Sequence, residues 1–172
     1  MKKFLLFFVC SLQCLAQDYA STTKYYEGFK NKVYQDTRGN YTIGWGFNLS
    51  DKSADAKLSA IGRNKAQYMN GATISVADAN KLLNQELSAA ERTANKTFLS
   101  FSKQPDEAKI VLVDMTYSLG PNKIRDFKKF KAAIDSKDYK TAAKELENSR
   151  WYTQTGRRAK AHVEALKKIP KS

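Results

Sequence analysis

The sequence predicts an α+β fold: a small N-terminal lobe built on a β-hairpin, a long linking helix and a larger all-helical C-terminal lobe. Three observations predict it. From Val33 to Ile43 an extended run, the turn residues Thr37-Arg38-Gly39-Asn40 and a second extended run follow one another, as in a hairpin. From Val76 through Ala79, Leu83, Leu87, Ala90 and Ala94 to Phe98, apolar residues recur every three or four positions, one stripe along a long helix. Ile110-Val111-Leu112-Val113 is apolar on nearly all sides, which marks a central helix, and amphipathic segments follow around Ile124–Ile134, Tyr139–Leu146 and Arg158–Ile169. At 172 residues and 42% hydrophobic composition there is room for one domain or two closely packed lobes.

In chain order, residues 1–16 read as a secretory signal. Lys2 and Lys3 form a basic start, Phe4 to Val9 an apolar centre, and Cys14-Leu15-Ala16 offers small residues for cleavage before Gln17. The apolar run is shorter than the ~20 residues that span a bilayer. Cys10 and Cys14 leave open a lipoprotein, although Val9 and Gln13 before them suit that processing poorly, and a retained signal-anchor is a second alternative. The reading predicts a secreted or periplasmic product of residues 17–172 with no cysteine and hence no disulfide. Ser21 or Thr22 is expected to cap a short helix ending at Glu27, and Asp51 to Ile61 to form another that stops at Gly62. Asn70-Gly71 marks a turn. Ser75-x-x-Asp78, behind Ile74, has the capping-box pattern at the start of the linking helix. Pro105 suits the first turn of the central helix and Gly120-Pro121 its end. The boundaries are then about 17–74 for the first lobe, 75–98 for the linking helix and 99–172 for the helical lobe.

Charge is uneven. Residues 120–172 carry 15 Lys plus Arg against 6 Asp plus Glu, a balance of +9, whereas residues 17–119 carry 13 against 11. A basic half of this kind attracts an anionic partner: nucleic acid, a membrane surface or an acidic wall polymer. His162 is the only histidine, and no Cys/His/Asp cluster has metal-ligand spacing. Gly44-Trp45-Gly46 lies on a strand, not at a helix start, so it is no phosphate loop.

The chemistry concentrates between Glu27 and Phe47. Glu27 precedes the hairpin, Asp36 stands at its first corner and Thr42 on its returning strand, so Asp36 and Thr42 can approach one small volume. Two carboxylates across a gap are what glycosidic hydrolysis requires, one to protonate the leaving oxygen and one to attack or activate water. Among 17 acidic residues that spacing alone is unspecific. The full block is specific: Glu27-Gly28, then Val33-Tyr34-x-Asp36-Thr37-x-Gly39-x-Tyr41-Thr42-Ile43-Gly44-x-Gly46. It resembles the lysozymes of T-even phages and their wider glycoside hydrolase family. Ala60 to Asn64, Leu82 to Leu87, Ser149 to Thr155 and Arg158 to Lys160 extend the resemblance, in order, over most of the chain after residue 17.

The resemblance implies a lysozyme-like fold and a muramidase acting on bacterial peptidoglycan, with inversion carried over from the family. Glu27 is then the general acid, Asp36 the second carboxylate and Thr42 the hydroxyl that orients water. Arg158 matches a family arginine directed toward the catalytic Glu, expected to fix its position. Asn48 takes a cleft-lip position that is apolar in close relatives, and Tyr117 a cleft aromatic able to stack on a sugar, so Asn48, Tyr117 and Arg158 are the substrate-binding candidates. Phe130 and Glu145 differ in type from saccharide-contacting relatives, which leaves fine substrate preference open. Phe47 stands where many members carry His, so a His ion pair with the acidic position, here Glu86, is not expected. Trp151 and Tyr152 read as core aromatics. No metal and no cofactor are implied. The expected partner is the anionic wall, with no nucleic acid, no stable membrane insertion and a monomeric state. The alternatives are a wall-binding domain without turnover and a cationic membrane-active protein.

Overall fold

A computed structural model of the chain describes residues 2–36 and 39–170, without the side chains of residues 2–13 and 17. The predicted turn residues Thr37 and Arg38 lie outside the described residues. Two compact units emerge: Ala20–Ser88, here the hairpin unit, and a helical unit in which residues up to Tyr19 join those from Ala89 onward.

The first element, α1, runs from Lys2 to Glu27 without a break, so Ser21 and Thr22 lie inside a helix instead of capping one. Thr23 is buried beside them, and a hydroxyl residue inside a helix is tolerated when the segment upstream is already helical. The three strands β1 (Lys30–Gln35), β2 (Tyr41–Gly44) and β3 (Phe47–Asn48) form one antiparallel sheet in the order β1-β2-β3. Tyr34 pairs with Thr42, and Thr42 with Asn48. Two short helices follow, α2 (Ala54–Ser59) and α3 (Lys65–Met69). The second was not expected; its signal is the capping box of Asn64 and Gln67, in which Asn64 Oδ1 accepts from the Gln67 N–H at 2.9 Å. Ile43, Phe47, Leu49, Leu58, Tyr68, Ile74 and Leu82 make the apolar centre of this unit.

Helix α4 spans Val76–Thr97. Ser75 Oγ accepts from the Asp78 N–H at 3.0 Å, the cap that the sequence predicts. Asp78 instead turns its carboxylate to Arg63 at 2.9 Å and Lys81 at 3.3 Å, so only half of the capping box forms. The stripe from Ala79 to Phe98 is buried, but Val76 at its head is 51% exposed.

In the helical unit, α5 spans Asp106–Lys123, with Pro105 as its N-cap residue. Gly120, at φ 79° and ψ 168°, breaks the axis, and a new turn starts at Pro121. That is the interruption expected from Gly-Pro, followed by a resumption that the sequence did not suggest. Then come α6 (Lys128–Asp135), α7 (Tyr139–Glu147), α8 (Arg150–Thr155) and α9 (Arg157–Lys168). The short α8 was also unexpected; Ser149 caps it, accepting from the Tyr152 N–H at 3.1 Å. Phe98, Leu112, Met115, Phe130, Ile134 and Leu146 are fully buried here.

Candidate active site

Glu27 is the last residue of α1. Gly28 follows it at φ +67°, and its N–H donates to Lys24 O at 3.1 Å, a helix stop that favours glycine. The Glu27 carboxylate rests against the turn between β2 and β3. A Cβ on Gly46 would stand 2.8 Å from Glu27 Oε2 and 3.2 Å from its Cδ, and the backbone there has φ +81°. Both facts require glycine. Between the two turn glycines, Trp45 donates from Nε1 to Asn80 Oδ1 at 3.0 Å, packs on Phe29 at 4.9 Å, and lies under Lys24 Nζ at 5.5 Å. The floor under Glu27 is therefore well held.

Opposed strands place Tyr34, Thr42 and Asn48 in one row across the sheet, because directly paired residues share a face. Thr42 is the buried centre of that row and Asn48 its exposed end. Asp36 follows Tyr34 by two positions, just past the end of β1. Its carboxylate accepts the Asn40 backbone N–H at 2.9 Å on Oδ1 and the Asn40 Nδ2–H at 3.1 Å on Oδ2. Thr42 Oγ1 donates to Asn40 O at 3.3 Å. The Tyr34 phenol is pushed up from its ordinary value by burial, and further by the negative charges of Glu27 and Asp36. One phenol thus feels both carboxylates. Glu27, Asp36, Thr42 and Asn48 all belong to the hairpin unit. The sequence names Tyr34 and Gly46 only as members of the block and Asn40 only as a turn residue, with no role at the site. Pairing register was the available clue for Tyr34, whereas the other two depend on distances.

Tyr117 and Arg158 belong to the helical unit, Tyr117 half-buried on α5 and Arg158 buried on α9. Arg158 forks onto Asp114, Nε to Oδ2 and Nη2 to Oδ1, both at 2.7 Å. His162, one turn further along α9, places Nε2 2.6 Å from Asp114 Oδ2 and stacks on Trp151, whose Nε1 donates to Ser118 Oγ at 3.2 Å. Burial pushes the Asp114 carboxyl up, but the hydrogen bonds from Arg158 and His162, with their charges, more than reverse this. The result lies well below the usual carboxylate range. Phe47 joins the apolar centre of the hairpin unit, while Glu86 pairs with Lys57 at 2.6 Å. Trp151 is buried, as a core aromatic, and Tyr152 half-buried.

Among the described residues, no group of three or more His, Cys, Asp or Glu side chains is arranged to hold a metal ion. No helix among them is long and apolar enough to cross a membrane.

The family model described as phage lysozyme matches residues 24–168. The chain belongs to the phage lysozyme family. This lysozyme-type hydrolase is 34% identical over 145 residues to "Probable T4-type lysozyme 2" of Dictyostelium discoideum, covering 79% of this chain and 85% of that one. It is 30% identical over 152 residues to "Probable T4-type lysozyme 1" of the same organism, covering 83% and 89%. A third relative, "Peptidoglycan hydrolase gp36" of Pseudomonas phage phiKMV, is 26% identical over 141 residues, which cover 82% of this chain and 14% of the phage protein.

The lysozyme should be sensitive to a single methyl group at Gly46. Gly46→Ala forces Glu27 Oε2 away from a contact of 2.8 Å. On the expectation that Glu27 is the general acid, a displacement of about 1 Å at that reacting group costs about 100-fold in rate. Left-handed backbone adds ~1–2 kcal/mol of strain for a residue with a Cβ. Turnover and thermal melting of the purified variant check both, and unchanged turnover would mean that Glu27 does not depend on this surface.

Proposed function

We propose that the protein is a muramidase that hydrolyses the β-1,4 bond between N-acetylmuramic acid and N-acetylglucosamine in bacterial peptidoglycan. The observation that carries the reading is the arrangement in the hairpin unit, where the Glu27 carboxylate lies against Gly46 in the turn after β2, and Asp36 and Thr42 of the same hairpin are both bonded to Asn40. Family membership and the names of the relatives support the same substrate class. Glu27 donates its proton to the glycosidic oxygen as the bond to the anomeric carbon breaks. Asp36 stabilises the oxocarbenium-like transition state and takes a proton from the attacking water, which Thr42 orients. In the inverting arrangement the two carboxyls stand ~6.5–9.5 Å apart and admit that water. Asn48, Tyr117 and Arg158 contact the saccharide, Arg158 held on its Nε edge by Asp114. The reaction uses no cofactor and the enzyme acts as a monomer. Cleavage before Gln17 delivers it to the periplasm or the exterior, with Gln17 to Glu27 of α1 retained.

The test is release of new reducing ends from purified peptidoglycan. Clearing of bacteria without reducing ends favours a cationic membrane-active protein, and wall binding without either favours a non-catalytic domain.

The +9 balance of residues 120–172 predicts a salt effect. Attraction to a polyanionic wall reaches over a Debye length of ~8 Å at physiological ionic strength, and neutral fragments do not feel it. Added salt is expected to reduce whole-cell lysis more steeply than cleavage of short neutral fragments. Reversing the exposed Lys128, Lys129 and Lys140 should do the same. Lys131 is a poorer choice because it bonds Asp135 at 2.6 Å. Parallel losses on both substrates would place the effect on the fold or the site instead.

A further inference from the structure

We propose that Asn40 is the positioning residue that aims the attacking water, an inference that rests on the reading of Asp36 and Thr42 above. Asn40 makes four contacts with those two residues. Its backbone N–H and its Nδ2–H donate to the two oxygens of Asp36 at 2.9 and 3.1 Å. Its carbonyl accepts from the Asp36 N–H at 2.9 Å and from Thr42 Oγ1 at 3.3 Å. No other residue is bonded to both in this way among the described contacts.

Two consequences follow from donor and acceptor chemistry. Asp36 is an acceptor on both oxygens when ionised, so the side-chain amide of Asn40 must turn its NH₂ toward it. Each carboxylate oxygen keeps a second lone-pair direction, and holding both oxygens sets where those directions point. Thr42 has one hydroxyl proton, and it is committed to the Asn40 carbonyl. Thr42 therefore offers a ligand lone pairs and no proton. A water between Thr42 and Asp36 donates one hydrogen to each, which leaves its own lone pairs directed away from both, as attack on an anomeric carbon requires. As the new C–O bond forms, the hydrogen on the Asp36 side passes to that carboxylate. The glycosidic C–O bond breaks and its oxygen takes the Glu27 proton, so charge and protons balance. Asn40 touches no substrate in this scheme; it acts through the two residues it holds.

A turn residue chosen only for its backbone would do none of this, and the two roles separate by substitution. Asn40→Asp keeps the shape and the turn preference but replaces the donor with an acceptor. Asn40→Gly keeps the three backbone contacts and removes the amide. Expected for both, on soluble peptidoglycan fragments, is a kcat lower by roughly 10–100-fold, as for a misaimed reacting group. KM should stay within about twofold, since the saccharide contacts remain. A folded Asn40→Asp protein with kcat near that of the parent overturns the proposal. If that variant does not fold, Asn40→Gly decides by the same reading; if neither folds, Asn40 is a folding residue and the proposal fails. Asp36→Ala and Thr42→Ala are measured beside them. Full activity there sinks the reading of the pair itself, whereas inactive Asp36→Ala with active Asn40→Asp removes only the role given to Asn40.

Discussion

Glu27→Gln is expected to abolish glycosidic hydrolysis while the fold and wall binding persist. The amide matches the carboxyl in size, so it still fits against Gly46, where Glu27 Oε2 leaves no room for a Cβ. What it lacks is a transferable proton. General acid catalysis is worth about 10²–10⁴-fold, and loss of the acid leaves nothing to neutralise the departing alkoxide. Initial rates of reducing-end release, with thermal melting as a control for folding, measure this. Activity above about a tenth of the parent's, at an unchanged melting temperature, would mean that another group supplies the proton.

The largest expected change in stability comes from Asp114→Ala. Asp114, Arg158 and His162 have side chains 1%, 9% and 4% exposed, so truncation removes the buried carboxylate that Arg158 and His162 share. Breaking a buried pair in this way costs about 3–5 kcal/mol, a fall in melting temperature on the order of 10 °C for a chain of this size. Asp114→Asn keeps the shape and removes only the charge. Its penalty should depend on pH with a definite sign. The Asp114 carboxyl lies lower in the folded chain than in the unfolded one, so its stabilisation is complete above the ordinary carboxylate value of ~3.9. It is lost as pH falls from there through the depressed folded value. Melts of the parent and Asp114→Asn should therefore converge toward low pH. A difference that stays constant from neutral pH into that range would show that the ionised carboxylate does not carry the effect.

The long helix and the hairpin were legible because each repeats a simple period over many residues. Ala79 to Phe98 holds its spacing for five turns of α4, and Tyr34 and Thr42 stand symmetrically about a turn. Short helices were harder. Residues Lys65–Met69 and Arg150–Thr155 span too few turns for periodicity, and only their caps, Asn64 and Ser149, announce them. The extent of α1 was missed for a different reason: a hydroxyl such as Ser21 marks a helix start only when the chain before it is not helical. In the site, Glu27, Asp36 and Thr42 stood out through the resemblance. Gly46 is part of the same block, but its closeness to a carboxylate is invisible in one dimension. The pairing of Arg158 and His162 with Asp114, 44 and 48 positions away, did not stand out, because no local pattern joins residues so far apart.

The order of the two units along the chain bears on how the molecule forms. The hairpin unit, Ala20–Ser88, is one uninterrupted stretch, while the helical unit is assembled from both sides of it. On the helical side, Tyr19 donates to Glu91 Oε1 at 3.3 Å across a separation of 72 residues. A nascent chain emerging N-terminus first holds the whole hairpin unit before α5 to α9 exist. Tyr19 must wait until Glu91 and the rest of the helical unit arrive. The stretch between acts as the loop that this closure has to span, and a compact loop has far less entropy left to lose than a slack one. Early completion of the hairpin unit would thus shorten the search by which the helical unit recovers its missing piece.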